Sequence, residues 1–335
     1  MLLIGTPRFE EHTTPPGHPE RPERAHVFDI VAARWRELGT QIVPPRPADR
    51  SDLLRVHDDA YVDLIERTNG RAVALDPDTF TSPESYGIAL LAAGAAVQAA
   101  QHAKAHRETA VALVRPPGHH AERDRAMGFC LFNNVAVAAA AALADGLPRV
   151  AIVDIDVHHG NGTQRMFYDE PRVLYVSTHQ FPFYPGTGAA DEIGEGQGEG
   201  YTVNVPLEAG ATDADYDRVY GVIAGVLDEF APELLLVSAG YDAHADDPLA
   251  SMRVTTGGYA NVVAHLKRVA DRHCPIALVT EGGYDLDALG ACLDASLTVL
   301  GTTQDPPVPE GGPTPRADRA LLAVRAAQSG HWSAI

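Results

Sequence analysis

Six short, mostly apolar runs, residues 2–4, 110–114, 150–155, 173–177, 234–238 and 276–280, limit what this chain can fold into. They do not alternate apolar with polar residues, so a strand built from any of them must be covered on both faces. A parallel sheet sandwiched between helices provides that cover. Stretches rich in helix formers or with helical periodicity lie between most of the runs, at residues 86–105, 131–143, 213–230, 258–271 and 286–299. This alternation predicts an α/β fold with a central, mostly parallel sheet and helices on both faces. One such sheet needs most of the 335 residues, so residues 1–300 are expected to form a single domain. Residues 301–335 then supply a Pro/Gly-rich connector, 301–315, and a last helix, 316–328, packed on the same domain.

Charge and cysteine content exclude several classes. Asp and Glu number 45 against 26 Lys and Arg, a formal net charge of −19, and no basic cluster interrupts it. Such a chain is a poor ligand for a phosphate backbone, so no nucleic-acid partner is expected. No apolar run is long enough to span a membrane, and residues 1–4 read as a first strand rather than a signal peptide. A cytoplasmic location is expected. Cys130, Cys274 and Cys292 are too few for a disulfide framework or a cysteine-built zinc site. The glycine series at residues 194–200 does not sit between a strand and a helix opening, which argues against a phosphate cradle.

The ionisable residues collect where apolar runs end, and in parallel α/β sheets those ends form the active site. Arg115-Pro116-Pro117-Gly118-His119-His120 follows one run and Asp154-Ile155-Asp156-Val157-His158-His159 closes another. Asp154, Asp156 and His158 alternate along an extended segment and therefore share a face. Two carboxylates and an imidazole converging there call for a cation. Asp242, leaving the run 234–238, is the natural further ligand, and a set of two Asp and one His leaves an open position for a catalytic metal. Asp246 and Asp247 read as loop residues or helix caps. Tyr284, after Gly282-Gly283, presents a phenol at the same edge, suited to an oxyanion. Adjacent histidines supply proton transfer, and the set reads as metal-assisted hydrolysis.

These motifs, with residues 18–24, Gly128-Phe129-Cys130, Phe132-Asn133-Asn134 and Tyr184-Pro185-Gly186-Thr187-Gly188, resemble the histone deacetylase superfamily. The likeness is to its class II-like and bacterial branch, which includes the acetylpolyamine amidohydrolases. The resemblance implies the arginase/deacetylase fold and one catalytic zinc held by Asp156, His158 and Asp242. It also implies a structural potassium coordinated by Asp154, Asp156 and backbone carbonyls near His158, Ser177 and Thr178. His120 would be general base and acid, with His119 paired to Asp154 and Tyr284 donating to the oxyanion. Asn161 falls near His120, where other branches carry Asp. Phe129 and Tyr184 would wall the substrate tunnel, the Gly128 carbonyl would accept the substrate amide N–H, and Glu84 would be a polar rim residue. Leu249 stands where polyamine-selective eukaryotic members carry a Glu gatekeeper, which leans against that style of recognition.

The implied partner is an acetylated amine, either acetyl-lysine in proteins or a small acetylated amine such as a polyamine. An arginase-like binuclear manganese hydrolase is a second reading, resting on Asp242-Ala243-His244-Ala245-Asp246. A non-catalytic module that binds acyl ligands is a third. Whether the chain is a homo-oligomer is left open by the sequence.

Overall fold

The computed structural model describes residues 1–302, 306–307 and 312–335, so part of the expected connector lies outside the described residues. Its strands are β1 (Leu2–Ile4), β2 (Gln41–Val43), β3 (Val73–Ala74), β4 (Phe80–Thr81), β5 (Ala110–Ala112), β6 (Val150–Asp154), β7 (Val173–Gln180), β8 (Thr202–Leu207), β9 (Leu234–Ala239) and β10 (Ile276–Thr280). The helices are α1 (Glu23–Glu37), α2 (Arg50–Leu53), α3 (Asp59–Glu66), α4 (Ser85–His106), α5 (Asn134–Ala144), α6 (Asn161–Met166), α7 (Asp213–Phe230), α8 (Thr256–His273), α9 (Leu286–Gly301) and α10 (Pro315–Ala327). β3 and β4 form a small antiparallel ribbon. The other strands make one sheet in the order β2-β1-β5-β10-β9-β6-β7-β8, and all its pairings are parallel.

Successive residues of each central strand enter two different cores, because side chains alternate across a sheet. Leu3, Val111, Ala151, Val153, Leu235, Val237 and Leu278 face the helices α1, α7, α8, α9 and α10. Leu2, Ala110, Ala112, Val150, Ile152, Leu234, Leu236 and Ala277 face α3, α4 and α5. Both sets are buried, which is why these strands read as unbroken apolar runs.

Several helices begin where a side chain satisfies their first N–H groups. Asn133 caps α5 through Ala136 N at 3.0 Å, so that helix starts later than its Ala-rich pattern suggests. Thr212 and Asp215 form a reciprocal capping box on α7. Ala317, Ala320, Leu321 and Val324 of α10 are buried in the first core, and Trp332 beyond it lies edge-on to Tyr201 and Phe230.

Candidate active site and metal centre

The sheet order makes neighbours of β5, β10, β9 and β6, so the loops leaving their carboxyl ends meet although they are far apart in sequence. Residues 115–120 follow β5, 281–284 follow β10, 240–242 follow β9, and 155–161 follow β6. The register aligns Asp154 with Ser177 on one side and Ser238 on the other.

Asp156, His158 and Asp242 each offer a ligand atom within 4.8 Å of the others, and all three are buried. His158 Nδ1 lies 3.2 Å from Asp156 Oδ1 and 3.1 Å from Asp242 Oδ2. The backbone fixes the carboxylates from behind: Gly282 N donates to Asp156 Oδ2 at 2.8 Å, His158 N to Asp156 Oδ1 at 2.9 Å, and Val157 N to Asp242 Oδ1 at 2.8 Å. Only glycine fits around them. A Cβ on Gly240 would stand 2.0 Å from Asp156 Oδ2, and one on Gly282 2.2 Å from Asp242 Oδ2.

The electrostatics of this trio call for a positive charge. Burial, with Asp156 nearby, lifts the Asp242 carboxyl to about 7. Burial pulls His158 down, yet its hydrogen bonds to Asp156 and Asp242 raise it to about 10. Two buried carboxylates and an imidazole this close together form a ligand set suited to a divalent cation. The donors fit zinc, with an open fourth position.

The pKa values of the two histidines after β5 are pushed in opposite directions. His119 Nδ1 meets Asp154 Oδ2 at 2.9 Å, and its Nε2 lies 3.8 Å from Asp156 Oδ1. Burial disfavours its charge, but the pull of Asp154 and Asp156 carries it well above the usual imidazole range. His120 is held well below that range by burial and by the charges of His119 and His158. Asn161 decides its tautomer. Asn161 Nδ2 donates to Glu122 Oε1 at 2.8 Å, so Asn161 Oδ1 faces His120 Nδ1, also at 2.8 Å. A carboxylate only accepts, so the amide orientation follows, His120 donates from Nδ1, and Nε2 keeps its lone pair.

His120 and His158 lie at the bottom of a slot of about 80 Å³ lined also by Gly128, Phe129, Tyr184, Leu249, Tyr284 and Asp78. Tyr184 stands edge-on to His120, with ring centroids 5.2 Å apart, and Phe183 stacks on His158 at 5.6 Å. Phe129 meets the Tyr284 ring at 5.8 Å on the other side.

The sequence pattern of the histone deacetylase domain matches residues 18–300. The chain belongs to the histone deacetylase family. It is 42% identical over 286 residues to a probable deacetylase of Archaeoglobus fulgidus, covering 83% of this chain and 80% of that one. A probable deacetylase of Methanothermobacter thermautotrophicus is 40% identical over 295 residues, covering 87% of each. The crystal structure of the HDA15 HD domain matches with a TM-score of 0.91 at 36% identity, covering 100% of this chain and 97% of that one.

Within this histone deacetylase fold, Glu84 is exposed at the start of α4 and is not among the residues lining the slot, whereas Asp78 is. Asp78 sits in a turn where Asp76 Oδ1 accepts from Asp78 N at 3.0 Å and Thr79 N at 2.6 Å, and that turn swings it inward. Asp247 is a loop residue, as expected, and its side chain is engaged: Oδ2 accepts from Tyr284 N at 2.7 Å and Oδ1 from Leu249 N at 3.0 Å, tying the Tyr284 loop to the β9 loop. The Ser177 and Thr178 hydroxyls are turned to His179 and Tyr220, both at 2.8 Å, so the carbonyls are what these residues have to offer a cation. His244 Nδ1 accepts from Asp246 N at 3.2 Å and is not part of the metal-ligand group.

Sequence reasoning gave no role to a buried charge cluster behind the site. Glu20 takes both Arg115 Nε and Nη2 at 2.8 Å and Arg24 Nη1 at 3.1 Å. Arg24 also donates to the Gly283 carbonyl at 2.8 Å and to the Glu281 carbonyl, and its guanidinium lies 5.1 Å from the Tyr284 ring centroid. Glu281 accepts from Gly118 N at 2.6 Å, His119 N at 3.2 Å and Ser238 Oγ at 3.0 Å, while burial pushes its carboxyl to about 7. The available signal was Glu20 and Arg24 at helix spacing within one matched motif, and a charged Arg115 directly after an apolar run.

Proposed function

We propose that this chain is a zinc-dependent deacetylase that hydrolyses the amide of N-acetylated primary amines, with acetyl-lysine side chains as the leading substrate class. The observation that carries the reading is His120, its Nδ1 engaged by Asn161 Oδ1 and its Nε2 left to accept, in the lining of a narrow aromatic slot beside the three-residue candidate metal group. Zinc held by Asp156, His158 and Asp242 would supply Lewis acidity toward the amide carbonyl and the attacking water. His120 Nε2 takes the proton of that water and delivers it to the departing amine. His119, paired with Asp154, has its pKa pushed up by the Asp154 and Asp156 carboxylates and in turn helps push that of His120 down. The Tyr284 hydroxyl donates to the oxyanion, its ring held by Arg24 and Phe129. Phe129 and Tyr184 flank the methylene chain, and the Gly128 carbonyl accepts the substrate N–H. Potassium would be coordinated by Asp154, Asp156 and the carbonyls of His158, Ser177 and Thr178, steadying the loop after β6. The free, buried thiols of Cys130, Cys274 and Cys292 suit a reducing, cytoplasmic setting.

One observation favours a second reading, a small cationic substrate such as an acetylpolyamine. Asp78 puts a carboxylate at the slot on a chain of net charge −19. The deciding experiment measures product release from acetyl-lysine peptide, acetylputrescine and acetylspermidine, with and without chelator, in wild type, Asp78→Asn and Glu84→Gln. Chelator-sensitive turnover that favours the peptide supports the leading reading, and turnover that favours polyamines replaces it with the second. Zinc-loaded protein that turns over none of them overturns both.

A further inference from the structure

The aromatic wall of the slot sits on a loop with little support of its own. Tyr184 is 37% exposed, and Gly186 and Thr187 after it are exposed too. The loop is fastened just beyond them. Thr187 Oγ1 meets His159 Nδ1 at 2.8 Å, and Gly188 O accepts from His179 Nε2 at 2.8 Å. Gly188 has φ +94°, and a Cβ there would lie 2.4 Å from His179 Nε2 and 2.7 Å from His159 Cγ, so the backbone rests directly on two buried rings.

The polarity of this fastening is set at its far end. Glu192 Oε1 accepts from Gly188 N at 3.0 Å and Ala189 N at 3.1 Å, and Oε2 accepts from Gln164 Nε2 at 2.6 Å. With its NH2 committed to a carboxylate, Gln164 turns Oε1 toward Asn204 Nδ2 at 2.7 Å and His159 Nε2 at 2.9 Å. His159 is therefore protonated on Nε2 and accepts the Thr187 hydroxyl on Nδ1. Thus Glu192 holds the loop twice, directly at Gly188 and through Gln164 and His159 at Thr187.

We infer that Glu192 is a positioning residue for the acyl-lysine slot, fixing, directly and through Gln164 and His159, the loop that carries Phe183 and Tyr184 and so setting the slot's width. The inference rests on the reading of the slot as the acyl-amine site. Glu192 touches neither substrate nor ligand residues, so its loss widens the slot without removing a reacting group. Glu192→Gln is the sharp variant because its size is unchanged. Its amide can still accept from Gly188 N, but it presents an NH2 to the Gln164 NH2. One of the two must turn, and a turned Gln164 directs its NH2 at Asn204 Nδ2.

Two readouts on the full-length, metal-loaded protein test this in Glu192→Gln and in Thr187→Val, which cuts the last bond at an exposed residue. Amide hydrogen exchange is expected to quicken in residues 183–189 and to stay at the wild-type rate in the sheet. KM for an acetyl-lysine peptide is expected to rise about tenfold while kcat stays within about threefold, the pattern of lost ground-state binding. Exchange in 183–189 unchanged in both variants would overturn the inference. So would a parallel fall of kcat and melting temperature with KM unmoved, which marks a general structural role. Should wild type turn over no acylated amine, the functional reading fails, and hydrogen exchange still decides whether Glu192 holds the loop.

Discussion

Replacing Asn161 by Asp tests the proton inventory of the site directly. The substitution puts a carboxylate where Asn161 Oδ1 now lies 2.8 Å from His120 Nδ1. Opposite charges about 4 Å apart at an effective dielectric of about 20 attract by about 4 kcal/mol, equivalent to about 3 pKa units. Two features reduce this. The amide already accepts the same hydrogen bond, and the second Asp oxygen would face Glu122 Oε1, which now accepts from Asn161 Nδ2 at 2.8 Å. A net rise of about 1–2 units in the His120 pKa remains. A base must be neutral to act, so raising its pKa moves the acidic limb of kcat/KM to higher pH by the same amount, with the alkaline plateau little changed. Adding Glu122→Gln removes the repulsion and should enlarge the shift. The assay is a pH profile of kcat/KM on acetyl-lysine peptide for the three proteins. A folded Asn161→Asp protein whose acidic limb coincides with wild type would refute His120 as the titrating base.

Other outcomes follow from single contacts. Tyr284→Phe keeps the ring contacts to Arg24 and Phe129 and should lower kcat by about 10²–10³ with metal content and melting temperature unchanged, measured by steady-state kinetics alongside metal analysis. Gly240→Ala sets a Cβ 2.0 Å from Asp156 Oδ2, so metal analysis after dialysis should find the protein largely empty. His57, 1% exposed, accepts from Asn133 N at 3.0 Å, and burial holds its pKa at about 4, below the ordinary 6.5. Because the unfolded chain binds this proton first, the stability His57 confers is present above pH 6.5 and is lost as pH falls toward 4, by about 3 kcal/mol in all. Urea unfolding across that range should show the loss, and a slope of opposite sign would refute the assignment.

The central strands were legible because burial on both faces leaves an unbroken apolar run, and the chemistry was legible because it sits where those runs stop. What escaped lies at the margins of the sheet. β2 and β8 are its two edges. β2 is partly exposed, and β8 carries Asn204 and Pro206, the proline tolerated where no further strand needs its N–H. Asp154, Asp156, His158 and both histidines were readable from local spacing, while the grouping of Asp242 with Asp156 and His158 came with the family resemblance. Asp78 was not, because its approach to the slot depends on a turn held by Asp76. Nor was the link from Glu20 to Tyr284 through Arg24, since no local pattern joins residues whose numbers differ by more than two hundred.

The placement of β10 bears on the order in which this protein becomes competent. It lies between β5 and β9 yet is the last strand in the chain. A growing polypeptide that has completed β9 and Asp242 already carries all three metal-ligand residues and both histidines. Without β10, however, its sheet is two pieces, β2-β1-β5 holding the histidines and β9-β6-β7-β8 holding the ligands. Tyr284 and Glu281 arrive with the strand that joins those pieces. During synthesis, the half carrying Asp156, His158 and Asp242 can therefore form before the half carrying His119 and His120 is joined to it, and the complete site waits for the final strand to slot in.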